Sequence, residues 1–245
     1  MKIHAMTMSY NKSELIDEAL NSFYVTCGED PETHVLLDQH YPLPSVKSHM
    51  AHTEMTASNY KILYLDARKN VGYHEGINLV AKTLPDEDIL INYDPDAMVK
   101  HTGWLPKIRE AFESDPDLVV VGLNNECIDR ELIERGHHDR FLESGLVLRY
   151  THKAVVMSII AWKVGFIREV GGLTEPFEFY GGIEAWMWPK IVERGKKWAI
   201  LRDYWEDNSL WFQADPLYNE WKKAHADFNG FKGDFEAYLK EKGVT

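Results

Sequence analysis

Short apolar runs rich in strand formers alternate with stretches of helical periodicity along most of this chain, and that alternation limits its fold more than any other feature. Residues 2–8 read as a first strand, after which Leu15, Ile16, Ala19, Leu20 and Phe23 recur at helical spacing behind a cap-forming Asn11 or Ser13. Residues 35–37 and 62–65 are strand-like, and each run closes on an aspartate (Asp38, Asp66), as a buried parallel strand does where it emerges into solvent. A helix face of Ile77, Val80, Ala81 and Leu84 comes next. It is followed by a strand at 89–91, a helix face of Leu105, Ile108 and Phe112, and a strand at 118–121. Such an order implies an α/β fold with a doubly wound, mostly parallel sheet flanked by helices. The stretch 124–144 is polar and weakly periodic, which predicts a mobile lid, while 155–162 and 198–201 read as later strands. Asp215-Pro216 opens a helix with the apolar face Leu217, Trp221, Ala224 and Phe228. With no internal repeat and no linker, the expectation is one domain, residues 1–201, with a helical extension at 202–245 packed on it.

The 245 residues are ample for such a core, and 44% hydrophobic with 27% charged residues is ordinary globular usage, which excludes wholesale disorder. Twenty-seven basic against 39 acidic side chains leave a formal charge of -12, so duplex nucleic acid is a poor default partner. Cys27 and Cys127 are too few for a disulfide framework, and neither a bilayer-length apolar run nor an export signal is visible. A cytoplasmic protein is the expectation.

Three segments have the composition of a chemical site. Asp94-Pro95-Asp96 follows directly on the run 89–91, placing two carboxylates at the C-terminal edge of a parallel strand, where open α/β sheets bind ligands. Mg or Mn takes such oxygen ligands together with substrate phosphates, and Pro95 stiffens the turn; alone, the triplet reads equally well as an Asp-Pro turn. Residues 70–78, with Asn70, Gly72, Gly76 and Asn78, lie between a strand and a helix on the same edge. There glycines permit close approach to a nucleotide and helix-start amides favour phosphate, although a capped turn has the same composition. Gly171-Gly172 is followed by Gly182-Ile183-Glu184 at the start of a helix carrying Pro189; Glu184 suits a general base, or is simply a first-turn acid. Trp186, Trp188, Trp205 and Trp211 read mainly as core. His49, His52, His137 and His138 lack the companions of a zinc site.

In this order the three segments resemble the family 2 glycosyltransferases, which have the GT-A fold, over residues 3–201. Met8-Ser9-Tyr10-Asn11 is similar to the family's first-strand turn, Asp38 to its base-contacting acid, Asn70, Gly72 and Asn78 to its Asn-x-Gly and later Asn, and Asp94-Pro95-Asp96 to its Asp-x-Asp metal motif. The resemblance implies a nucleotide-sugar donor site at Tyr10, Asn11, Asp38, Asn70, Gly72, Asn78 and Asp94, a divalent metal (Mn or Mg) on Asp94 and Asp96, and Glu184 as catalytic base. Met8 stands where the family has Pro, Ile77 where Arg is common, and Ile183-Glu184 or Glu184-Ala185 where it has Glu-Asp. For the further metal ligand that relatives supply near the C-terminus, the chain offers Asp203, Glu206, Asp207 and His225.

The implied activity is inverting transfer of a sugar from a nucleotide donor, a UDP-sugar, to a hydroxyl acceptor. That acceptor is expected to be a saccharide or glycoconjugate bound by the C-terminal segment, with a modified nucleobase also open. A sugar-phosphate nucleotidyltransferase is the rival enzyme, but residues 6–12 contain no glycine; a non-catalytic nucleotide-sugar or glycan-binding module is the rival from another class. A dinucleotide-dependent dehydrogenase fails for want of Gly-x-Gly-x-x-Gly.

Overall fold

A computed structural model of the protein describes residues 1–10, 15–39, 46–126, 128, 136–154, 157–173, 183–207, 216–227, 230–231 and 235–243. Its centre is a sheet built from β1 (Ile3–Ser9), β2 (Thr33–Asp38), β3 (Leu63–Asp66), β4 (Ile89–Tyr93), β5 (Met98–Val99), β6 (Leu118–Asn124), β7 (His137–Phe141), β8 (Val147–Thr151), β9 (Ile159–Lys163) and β10 (Lys197–Asp207). The strand order is β3-β2-β1-β4-β9-β6-β10-β8-β7, with β5 paired to β10. Strands β3, β2, β1 and β4 are mutually parallel, as are β6 and β10. β9 runs against both β4 and β6, so those two groups point the same way. The expected α/β fold with a largely parallel sheet is what forms.

Helices α1 (Ile16–Thr26), α2 (Val46–Tyr60), α3 (Gly72–Ala81), α4 (Trp104–Ser114), α5 (Val164–Glu169) and α6 (Ile183–Glu193) flank it, followed by α7 (Pro216–His225) and α8 (Phe235–Glu241). Strand alternation sorts the core into two layers. On one face Ile3, Ala5, Ile89, Ile91 and Tyr93 meet Phe23 of α1 and Trp104, Ile108 and Phe112 of α4. On the other, Met6, Met8, Val35 and Leu37 meet Ile77 and Val80 of α3, and Trp162 and Trp198 belong to the same layer as Met187 and Ile191 of α6.

The segment expected as a lid is corrected in part. Residues 137–141 form β7, an edge strand hydrogen-bonded along its length to β8, with His138 stacked on Tyr150 at 4.9 Å between ring centroids. Its polar sequence reflects its edge position, because an edge strand is wetted on one side and does not show the buried pattern. β10 extends beyond the expected 198–201, running through to Asp207 and so across the 201/202 boundary. Trp186 is 39% exposed, beneath the Lys190 ammonium, while Trp188 packs against the apolar layer. Two-residue strands β11 (Ala226–Asp227) and β12 (Gly230–Phe231) follow α7. Among the described residues no helix is long and apolar enough to cross a membrane.

Candidate active site

Parallel register brings the ends of β1, β2 and β3 abreast, since Ser9 pairs with Asp38 and Asp38 with Asp66. Tyr10 follows immediately, and Asn11 lies outside the described residues. Asp38 is fully buried; its Oδ2 accepts from the Tyr64 hydroxyl at 2.9 Å and its carbonyl from Ala67 N at 2.9 Å. Burial first, and then the charge of Asp38, push the Tyr64 phenol well above its usual range, so it stays a donor. Beside Asp38, the side chain of Gln39 reaches across to the loop before α3, accepting from Val71 N at 3.0 Å.

That loop is an Asx turn: Asn70 Oδ1 accepts from Gly72 N at 2.8 Å, and Gly72 takes a left-handed φ of +78°, which favours glycine. Gly76 sits where α3 crosses the sheet, and a Cβ there would lie 2.5 Å from Met8 Sδ and 3.0 Å from Leu37 Cδ2. A side chain there would have to displace the flexible ends of Met8 and Leu37. Asn78 is buried, and its Oδ1 accepts from Leu173 N at 2.8 Å, tying α3 to the Gly171-Gly172 turn rather than to an open crevice.

One strand over, β4 delivers the aspartate pair. Asp94 N donates to Ser158 O at 3.0 Å and Ala97 N donates to Asp94 O at 3.0 Å, closing a tight turn around Pro95. Asp94 is half-buried and Asp96 is 6% exposed. Asn92, a polar residue in an otherwise apolar strand, donates from Nδ2 to Asp94 Oδ1 at 2.8 Å and to the Tyr73 hydroxyl of α3 at 2.9 Å. Asn92 therefore links the α3 turn directly to the aspartate turn.

Glu184 is the second residue of α6. Its side chain lies outside the described residues, as do Gly181 and Gly182. The helix hands the chain to β10 through residues 194–196 and packs on the α3 face of the sheet through Met187 and Ile191. An antiparallel hand-over of this kind puts the N-terminal end of α6 toward the edge where β10 ends, the edge that also carries Asp94 and Asn70.

Of the four candidates for a further metal ligand, Asp203 pairs with Arg202 at 2.7 Å and Asp207 with Lys100 at 3.3 Å, and the side chain of His225 lies outside the described residues. Glu206 is 3% exposed. It accepts from Asn125 Nδ2 at 2.9 Å, Ser158 N at 3.1 Å and Ile159 N at 2.9 Å. Burial pushes its carboxyl up to about 7, with the Asp96 charge adding to the rise against these three bonds. Among the described residues no three His, Cys, Asp or Glu side chains form a ready metal cluster. Two carboxylates in one rigid turn are nevertheless the oxygen set expected of a site that completes Mg or Mn coordination with substrate phosphates.

The sequence reading offered Glu206 only as one of four candidate metal ligands, and it missed Gln39, Tyr64, Tyr73 and Asn92. Of these, only Asn92 carried a signal, an amide interrupting Ile89-Leu90-Ile91 before Tyr93.

No family model matches the chain, and no curated protein matches it in sequence. Solved structures do resemble it in shape. A mannosyltransferase, PcManGT from Pyrobaculum calidifontis, in complex with GDP-Man and Mn2+, aligns with a TM-score of 0.62 at 18% identity, over 82% of this chain and 55% of its own. GalNAc-T7 with UDP, GalNAc and Mn2+ gives 0.59 at 13% identity, over 84% of this chain and 43% of its own. S. aureus TarS 1-349 with UDP-GlcNAc gives 0.54 at 14% identity, over 84% of this chain and 58% of its own. The chain thus spans roughly half the length of the solved structures it resembles. The protein has a GT-A-like glycosyltransferase fold.

Proposed function

We propose that the chain is a metal-dependent glycosyltransferase moving a sugar from a nucleotide donor, a UDP-sugar, to a hydroxyl acceptor with inversion at the anomeric carbon. One observation carries this reading: the Asp94-Pro95-Asp96 turn stands at the end of β4, linked through Asn92 and Tyr73 to the α3 turn beside Asp38. GDP-Man, UDP and UDP-GlcNAc in the solved structures of like fold agree with it. Tyr10, Asn11, Asp38 and Asn70 would line the nucleoside side, with Gly72 letting backbone approach the phosphates. Asn78 would hold the α3 turn against the Gly171-Gly172 turn. Asp94 and Asp96 would hold Mn or Mg against the donor diphosphate, where such an ion neutralises the charge of the departing group. Glu184, ionised in the first turn of a helix, would take the acceptor proton as the hydroxyl oxygen bonds to the anomeric carbon and the bond to the diphosphate oxygen breaks. The acceptor is proposed to be a saccharide or glycoconjugate bound beside the segment 202–245.

Purified protein incubated with UDP-, GDP- and dTDP-sugars and Mn, with released nucleotide as the readout, tests the reading. Turnover with a UDP-sugar is expected, and donor binding without turnover across donors and acceptors would overturn it. Glu184→Gln should lower turnover by about 10²-fold or more with donor affinity near normal, and unchanged turnover would remove Glu184 as the base.

A further inference from the structure

A carboxylate removed from water is costly unless donors satisfy it, and Glu206 is surrounded by donors that leave it little freedom. It is 3% exposed, on β10 where that strand pairs with β5 through Glu206 and Val99. Its Oε1 accepts from both Asn125 Nδ2 (2.9 Å) and Ser158 N (3.1 Å), and its Oε2 accepts from Ile159 N (2.9 Å). Each oxygen has to be an acceptor, because two backbone N–H groups and an amide face it; a glutamine would set its own NH2 against one of them.

Glu206 meets the aspartate turn from two sides, through its carboxylate at Ser158 and through its backbone at β5. Ser158, held through its N–H by Glu206, accepts from Asp94 N at 3.0 Å and so fixes where the turn begins. Where it ends, β5 is held by the β10 ladder at Glu206 and Asp207, by Lys100 N donating to Trp205 O at 3.0 Å, and by Val99 N donating to Ser22 Oγ at 2.9 Å.

We infer that Glu206 is a positioning residue, a buried brace that sets the height and spacing of Asp94 and Asp96 and is not itself a metal ligand. The inference rests on the proposed metal role of those two aspartates only where it predicts binding. The brace itself is a statement about the turn and can be tested without any metal.

The experiment compares wild type, Glu206→Gln, Asn125→Ala and Asp96→Ala by hydrogen exchange of fragments covering residues 93–100, and by Mn2+ binding in the presence of UDP, read from the Mn2+ electron paramagnetic resonance signal. Glu206→Gln is expected to speed exchange of the Asp94 and Ala97 amides about tenfold, as loss of one hydrogen bond does, with remote amides unchanged. Asn125→Ala, the milder variant should Glu206→Gln fold poorly, should shift the same amides less. Mn2+ affinity in Glu206→Gln should fall about tenfold. In donor turnover the metal and donor KM should rise while kcat changes about threefold or less, a split that general destabilisation does not produce.

Unchanged exchange in both single variants overturns the brace. So does a Glu206→His variant that restores Mn2+ binding better than Glu206→Gln, since a ligand would be rescued by an imidazole and a brace would not. If exchange rises as expected while Asp96→Ala binds Mn2+ like wild type, the brace stands and the metal reading fails.

Discussion

His34 offers a quantitative handle on the region beneath the site. It lies in β2, 4% exposed, between the Thr7 hydroxyl (3.1 Å from Nε2) and the Tyr24 hydroxyl (3.1 Å from Nδ1), with the Phe23 ring 4.8 Å away. Burial holds its imidazolium pKa down, from 6.5 to about 3. In the unfolded chain the ring regains its ordinary value, so between those limits the unfolded state binds the extra proton. The stability owed to the neutral ring is fully present above the unfolded value and is lost as pH falls toward the folded one. Each unit is about 1.4 kcal/mol, so the loss attributable to His34 is about 2 kcal/mol by pH 5 and about 5 kcal/mol once pH reaches the folded value. Urea unfolding of wild type and His34→Gln at a series of pH values from neutrality downward isolates it, because every other titrating group is common to both chains. The variant is expected to be less stable at neutral pH, having lost the ring's packing, yet to show the shallower decline into acid. Parallel pH profiles would refute the assignment of a buried neutral imidazole.

Two further substitutions probe how the α3 turn is held. Gly76→Ala should change stability by about 1 kcal/mol or less, because its Cβ would meet only the flexible ends of Met8 (Sδ, 2.5 Å) and Leu37 (Cδ2, 3.0 Å), which can yield, while alanine gains helix propensity over glycine; a loss above about 3 kcal/mol in urea would show that these side chains cannot give. Asn78→Ala should cost about 1–3 kcal/mol by leaving the Leu173 amide without its 2.8 Å acceptor; thermal unfolding is the check, and an unchanged midpoint with raised donor KM would make Asn78 a ligand-facing residue instead.

The chain's alternation made most of the sheet legible because buried parallel strands leave unbroken apolar runs, and the aspartates at 38, 66 and 94 mark where those runs end, although Asp38 is buried there and does not emerge into water. α2 was not legible for a physical reason. It buries Thr53, Thr56 and Ala57, and Thr56 Oγ1 donates to Asp17 Oδ1 at 3.0 Å, so the helix packs through small residues and a hydroxyl and has no apolar stripe. β7 escaped for the complementary reason, being an edge strand whose His138, Arg140 and Phe141 are exposed and whose His137 and Asp139 approach each other at 3.9 Å. At the site, the residue types needed for oxygen ligation and tight turns stand out in sequence, but their supports do not. Gln39, Tyr64 and Glu206 act over separations of 26 to 81 residues, through bonds that only the sheet order creates. Asn70 shows the converse, since its signal was plain while its Oδ1 accepts locally from Gly72 N.

The most direct test of the central claim is Mn2+-dependent release of nucleotide from a UDP-sugar by wild type and by Asp96→Ala, with circular dichroism recorded on both. The account predicts that wild type turns over only with the divalent ion, and that the variant keeps its fold while losing about 10²-fold or more of the activity. A folded Asp96→Ala protein with wild-type, metal-stimulated turnover would contradict it.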